Sequence, residues 1–192
     1  MNYLIYQLSD LSPEKISTTS LSQEELTEAS RRGGNYAIIR ALLRQEIARR
    51  SQTTPDAIVF EYGPHGKPHC NIQHFNISHS GDCLCMAFHD AAVGVDVERI
   101  RTRDFKALGK RFMCPEQWDN FCARSCPENE FFACWTAAEA LVKHAGDTMW
   151  NARLYPFIYR SGHIDCQFEN APLLQLFTPL PGYAGAIAYT PY

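Results

Sequence analysis

No run of apolar residues in the 192-residue chain approaches the roughly 20 needed to cross a bilayer. The opening Met1-Asn2-Tyr3-Leu4-Ile5-Tyr6 has no basic lead and too short an apolar run for a secretory signal. A membrane role and export are therefore not expected, and the expected compartment is the cytoplasm. Positive charge is not in excess either. Lys and Arg number 18 against 21 Asp and Glu, for a net charge of −3, which speaks against a general nucleic-acid binder. There is no low-complexity tract and no clear repeat. The serines around His79 lack a nucleophile-elbow pattern, so a Ser–His hydrolase is a poor fit. The eight cysteines also fail to form a framework. Cys83 and Cys85 share one face of a strand, Cys122 and Cys126 lie one helical turn apart, and neither pair has a second pair at zinc spacing. In a chain of this size with enough apolar residues for a core, the thiols are expected to be reduced.

What is present is a soluble globular composition, 45% hydrophobic and 20% charged, enough for one domain or two small lobes sharing a core. Tyr3–Leu8 reads as a short strand, followed by a Ser/Thr-rich turn region and a short helical piece. From Asn35 to Arg50, the apolar Tyr36, Ile39, Leu43 and Ile47 fall at helical spacing with arginines between them, predicting an amphipathic helix after a break at Gly33-Gly34. Ala57–Tyr62 is a strand candidate, and Gly63 to Pro68 a tight turn. Phe75-Asn76-Ile77-Ser78-His79-Ser80-Gly81 is a strand running into a turn. Cys83–His89 is an apolar strand, and the short link His89-Asp90-Ala91-Ala92 makes it the expected hairpin partner of the strand that follows. A basic, helix-prone stretch comes after Arg99. One helix starts at Cys114-Pro115-Glu116 and another at Pro127, the latter ending at Gly146. Leu154–Arg160 and His163–Phe168 read as a hairpin around Ser161-Gly162, and Tyr183–Tyr189 as a last strand.

The stretch Val93-Gly94-Val95-Asp96-Val97-Glu98 alternates strictly, apolar then small or acidic. That places three valines toward the core and Gly94, Asp96 and Glu98 on the opposite face. Taken alone, this is a solvated strand face with two ordinary acids. Alternatively, the glycine leaves room beside two carboxylates for a cation and a bulky ligand, since like charges this close repel unless something positive settles between them. On the helix from Pro127, Glu139 and Lys143 share a face with Trp135. A surface ion pair is the plain reading; the bulk of Trp135 argues instead that the stripe points inward, where Glu and Lys need partners. A third carboxylate meeting Asp96 and Glu98 would make an oxygen-lined site suited to Mg2+ with phosphate oxygens, and Lys143 would reach the phosphate. Ser78 and His79 offer further donors at a strand end.

Gly66-Lys67-Pro68, then Phe75 to Ser80, then Val93 to Glu98, then Trp135-Thr136-Ala137-Ala138-Glu139-Ala140-Leu141-Val142-Lys143 resemble, in order and spacing, the motifs of the 4′-phosphopantetheinyl transferases. The likeness is to the larger, monomeric, surfactin-synthetase type. Arg40-Ala41-Leu42-Leu43-Arg44 is similar to that family's arginine-bearing helix, and Pro181 to Ala188 to its closing strand. The resemblance runs from about residue 31 to the end and implies an α+β fold. Two similar lobes, residues 1–92 and 93–192, would be related by a pseudo-twofold, each a small, mostly antiparallel sheet on a long helix, with coenzyme A between them. It further implies that Asp96, Glu98 and Glu139 hold Mg2+, that Lys67, Ser78, His79, Lys143 and, less securely, Arg40 and Arg44 contact coenzyme A, and that Glu139 is the general base with Lys143 stabilising charge. The implied reaction moves 4′-phosphopantetheine to a serine of an apo acyl or peptidyl carrier protein and releases adenosine 3′,5′-bisphosphate.

One position departs from the family, which has lysine just before the helix glutamate where this chain has Ala138. That keeps a non-catalytic coenzyme A- or carrier-binding homologue open as the alternative, with a metal-dependent phosphohydrolase behind it. Twelve of the eighteen cations lie in two segments, Arg31 to Arg50 and Arg99 to Arg111, with few acids among them. The second segment is the expected docking site for an acidic carrier.

Overall fold

A computed structural model of the chain describes residues 1–12, 16–122, 128–160 and 162–191. The fold is α+β, with two three-stranded antiparallel sheets and a long helix against each. In the first sheet β5 (Cys83–His89) lies between β1 (Asn2–Gln7) and β4 (His74–Ser80). In the second, β10 (Tyr183–Tyr189) lies between β6 (Val93–Arg99) and β9 (Leu173–Phe177). The expected β5–β6 hairpin does not form. β5 spends both edges on β1 and β4, which leaves β6 to pair with the far end of the chain.

Strand alternation builds the layers. On β5, Leu84, Met86 and Phe88 face α2 (Tyr36–Ser51), joining Ile39, Leu43 and Ile47 in one core. The intervening Cys83, Cys85 and Ala87 face Val93, Val95 and Val97 of β6 and Ile187 of β10, forming a second core between the sheets. Ala184, Ala186 and Ala188, on the other face of β10, pack under α5 (Glu128–Ala145). Every valine of the alternating strand is therefore inside, at most 1% exposed. None of the seven described cysteines is in a disulfide, and burial pushes the Cys83 thiol up to about 11, as suits an inert core residue.

Between the sheets β4 and β6 run side by side without a backbone ladder. Side-chain oxygens of β4 take its place. The Val95 amide donates to Asn76 Oδ1 (2.8 Å), the Val97 amide to Ser78 Oγ (3.3 Å) and the Arg99 amide to Ser80 Oγ (3.1 Å). Both strands advance together along this seam, which satisfies edge amides that burial would otherwise leave unpaired.

Elsewhere α1 (Gln23–Arg32) opens on a capping box between Ser22 and Glu25. Only Glu61–Tyr62 (β2) of the Ala57–Tyr62 candidate is strand; Pro55–Ala57 is a 3-10 turn, because proline opens it. β2 pairs with β3 (Pro68–His69) around the expected tight turn, where Gly66 takes a φ of +77°. α3 (Phe105–Phe112) and α4 (Pro115–Cys122) precede α5. The proposed α5 start at Pro127 and the residue Cys126 lie outside the described residues, as does Ser161 in the turn between β7 (Phe157–Arg160) and β8 (His163–Cys166).

α2 is not amphipathic in the expected sense. Arg40 and Arg44 are 3% and 4% exposed, inside rather than on a wet face. Glu25 of α1 makes that possible, accepting from Arg40 Nε at 3.0 Å and Arg44 Nε at 2.8 Å. Arg31 and Arg32 are likewise met by Glu28, and Arg49 and Arg50 by Glu46. Each arginine of the first basic segment thus has a carboxylate, although three glutamates shared among six arginines offset only half of the charge. Among the described residues no helix is long and apolar enough to cross a membrane.

Candidate active site

Gly94 explains how the acidic strand and the α5 motif meet. A Cβ built there would lie 2.9 Å from His144 Cα and nearer still to the Ala140 carbonyl oxygen and the His144 amide nitrogen. The absent side chain makes room for the backbone of α5, not for a ligand, which corrects the sequence reading. Close approach brings Lys143 onto the strand. Its ammonium donates to Asp96 Oδ1 at 2.7 Å and to Ser78 Oγ at 3.2 Å, and stands 3.8 Å from Glu139 Oε2.

Asp96 is 4% exposed. Its Oδ1 also accepts from Ser78 Oγ at 2.7 Å, while its buried Oδ2 has no hydrogen-bond partner among the described residues. Glu98, one pleat on, accepts from Ser80 Oγ at 2.7 Å. Glu139 is pushed up to about 7, chiefly by burial and then by the Asp96 carboxylate, with Glu98 adding to it and Lys143 opposing. Burial alone would lower Lys143, but Asp96 and then Glu139 outweigh it and hold the ammonium above its ordinary value.

Of these groups Glu139 and Lys143 line a cleft of about 740 Å3, a size within the range of small-molecule sites, while Asp96 and Glu98 lie outside its lining. Its lining draws on both halves of the chain: Arg32, Tyr36, Arg40, Tyr62, Lys67 and His79 from one side, and Glu139, Lys143, Asp147 and Met149 from the other. Lys67 reaches across to donate to the Val93 and Lys143 carbonyls. Burial, with Lys143 second, depresses it to about 8.

The sequence-predicted residues divide by strand face. Ser78 and His79 are neighbours and so point to opposite sides of β4. The His79 side chain is exposed on the cleft, whereas the Ser78 hydroxyl is in the seam. Arg40 borders the cleft. Arg44 does not: its guanidinium is taken by Glu25 and by the Pro55 and Ile58 carbonyls. Ala138 is 2% exposed in the core beneath α5, so a lysine at this position could not simply extend into water. Sequence reasoning missed the seam roles of Asn76 and Ser80, although polar residues at every second position of β4 mark them. It also missed Glu25, which the spacing Ser22–Glu25 signals.

The donor set suits a divalent cation. Three carboxylates of this region press on one another, one buried carboxylate oxygen is unpartnered, and hard oxygens are the ligands Mg2+ takes. In this conformation no group of three acidic, His or Cys side chains among the described residues converges on one point. The Lys143 ammonium lies between Asp96 and Glu139 instead.

Residues 92–176 match the family model of the 4′-phosphopantetheinyl transferase superfamily. The chain is 31% identical over 158 residues to the 4′-phosphopantetheinyl transferase HetI of Nostoc sp., an alignment covering 73% of this chain and 63% of the relative. It is 34% identical over 110 residues to psf-1 of Bacillus pumilus (55% and 47% covered) and 31% identical over 110 to Sfp of Bacillus subtilis (55% and 49%). It thus spans from about half to under two thirds of the length of these relatives. The family model is seated over β6 and α5, the strand and helix that carry Asp96, Glu98, Glu139 and Lys143, so the chain is similar to the 4′-phosphopantetheinyl transferase superfamily through the elements of its candidate site.

Proposed function

We propose that the chain transfers the 4′-phosphopantetheine group of coenzyme A to a serine of an apo acyl or peptidyl carrier protein. The observation that carries this reading is one cleft in which Glu139 and Lys143 face Lys67 and His79 across the two halves of the chain, residues 1–92 and 93–192. Coenzyme A would lie along it, its phosphates toward Lys67, His79 and Lys143. Arg40 stands at the border of that site, while Ser78 acts through Asp96 and Lys143 rather than by touching the ligand. Asp96, Glu98 and Glu139 would hold Mg2+. When bound, the ion neutralises the pyrophosphate and the departing charge.

The serine oxygen forms a bond to the phosphorus nearer the pantetheine, and the bond from that phosphorus to the bridging oxygen breaks. Adenosine 3′,5′-bisphosphate leaves with the electron pair. Glu139 takes the serine proton, directly or through a water. A glutamate is a weak base for a serine hydroxyl, so proton removal is concerted with attack on phosphorus. Lys143 and His79 stabilise phosphoryl charge. The protein is read as acting as a monomer in the cytoplasm.

Ala138, buried in the core where the family has lysine, supports one second reading: a homologue that binds coenzyme A or a carrier without turnover. One experiment separates the two. Purified protein is mixed with coenzyme A, Mg2+ and a panel of apo carrier proteins, and the carriers are weighed by mass spectrometry. A gain of one phosphopantetheine on a carrier is the expected result. Coenzyme A binding with no gain on any carrier overturns the transferase and leaves the binding homologue. Nucleotide release without a carrier would point to hydrolysis.

A further inference from the structure

Trp150 is 87% exposed and Leu154, four residues on, is 66% exposed, the first and third most exposed large apolar side chains of the described residues, with Val59 between them at 69%. Both belong to the 3-10 turn Met149–Leu154, which packs on α3 and is tied to it where Arg153 donates to the Lys110 carbonyl. A tryptophan offers about 150–250 Å2 of contact surface, and leaving it in water forgoes its burial. The other aromatics around α5 do the opposite: Phe112 meets Phe131 and Trp135 edge-on, and Phe131 stacks on Trp135.

Three cations lie beside the pair, and the one nearby carboxylate among the described residues that bonds to this turn, Asp147, is occupied by Thr148, Asn151 and Tyr155. Lys110 and Arg111 end α3 and Arg153 follows Trp150; all three are exposed. Neither Phe105–Phe112 nor Met149–Leu154 contains an acid. Among the described residues no carboxylate forms an ion pair with these three cations, whereas all six arginines from Arg31 to Arg50 have one. The surface also adjoins the cleft: Met149, next to Trp150, lines it together with Glu139 and Lys143.

We infer that this surface docks the carrier protein, with Trp150 and Leu154 as apolar anchors for a helix whose apolar residues are flanked by acids, and with Lys110, Arg111 and Arg153 meeting the acids. It rests on the transferase reading and deepens it. The basic stretch expected to dock the carrier supplies only the charge; the anchors come from a turn about 40 residues later that the fold brings beside it. A partner seated here holds its serine-bearing loop at the mouth of the cleft.

The test is the double variant Trp150→Ser/Leu154→Ser in the full chain. Both residues are exposed, so the fold and coenzyme A binding are expected to be unchanged by thermal melting and calorimetry. The KM for an acidic apo carrier should rise roughly tenfold or more with kcat nearly kept, and Trp150→Phe should restore most of it. Affinity for the same apo carrier, measured by calorimetry without coenzyme A, reads docking apart from turnover. A tenfold loss there supports the surface even if wild type modifies no carrier, a result that would sink the transferase reading alone. Equal carrier affinity for variant and wild type overturns the inference. So does a wild-type dimer in sedimentation that the variant abolishes, or wild-type binding to anionic phospholipid vesicles that the variant loses with carrier affinity intact.

Discussion

Gly94→Ala tests the geometry on which the candidate site depends. The added methyl meets the Ala140 carbonyl oxygen and the His144 amide nitrogen at less than contact distance, with His144 Cα at 2.9 Å. All three are backbone atoms of α5, so no rotamer change relieves the clash. Either β6 or α5 must give way by roughly 1 Å to reach ordinary contact. Overpacking in a tight core costs about 1–3 kcal/mol, occasionally more, and a clash with helix backbone, which no side chain can relieve, belongs at the upper end, about 3 kcal/mol. The displacement falls where it matters: Lys143 and Glu139 ride on α5, Asp96 on β6, and the Lys143–Asp96 contact is 2.7 Å. A misplacement of about 1 Å in a catalytic group costs on the order of a hundredfold in rate.

Urea unfolding gives the stability change and a single-turnover carrier-loading assay gives the rate. Gly162→Ala is the control, because its φ of +87° strains an alanine, its Cβ would meet nothing within 4 Å and it lies outside the lining of the cleft. That variant should lose about 1 kcal/mol and leave the rate nearly unchanged. If Gly94→Ala lost less than the control and kept its rate, the close approach of α5 to β6 would not be what brings the site together.

Four further outcomes follow from the same contacts. Ser78→Ala strips the Val97 amide and Asp96 of a shared partner and should cost about 1–3 kcal/mol in urea unfolding with little change in coenzyme A affinity; the reverse pattern would make Ser78 a ligand contact instead of a seam residue. Glu25→Ala leaves two buried guanidiniums unpaired and should cost roughly 3–5 kcal/mol, whereas a loss below 1 kcal/mol would mean that Arg40 and Arg44 escape to water. His144 is lowered to about 4 by burial, then by Lys67 and His89, so between pH 6.5 and 4 the unfolded chain takes a proton that the folded chain refuses. Stability conferred above pH 6.5 is therefore lost as pH falls; allowing for partial exposure the loss is about 1–2 kcal/mol, and His144→Gln should flatten that part of the stability–pH curve relative to wild type, a parallel curve refuting it. Asp96→Asn should raise the Mg2+ needed for half-maximal transfer at least roughly tenfold, with chelation stopping transfer altogether, and an unchanged Mg2+ requirement would remove Asp96 from the proposed metal set.

What could be read from the chain before folding depended on whether the signal was local. The valines of β6, the turn at Gly66 and the stop of α5 at Gly146 follow from periodicity and from glycine's access to positive φ, and each is where the spacing places it. The β5–β6 hairpin was misread because a four-residue link satisfies local turn rules, while pairing is settled by the whole competition for edges, and β1 and β10 come from opposite ends of the chain. The arginines of α2 were misread for a related reason. Helical spacing shows which face they occupy, but only the distant Glu25 makes that face a tolerable place for charge. At the site, the residue types were legible and their division of labour was not. Adjacent Ser78 and His79 look like one cluster in sequence, yet a strand must send them to opposite faces, one to the seam and one to the cleft. Gly94 is the clearest case. An empty side-chain position beside two acids suggests space for a ligand, but emptiness has no owner until the fold is known, and here a helix backbone occupies it and delivers Lys143 to Asp96.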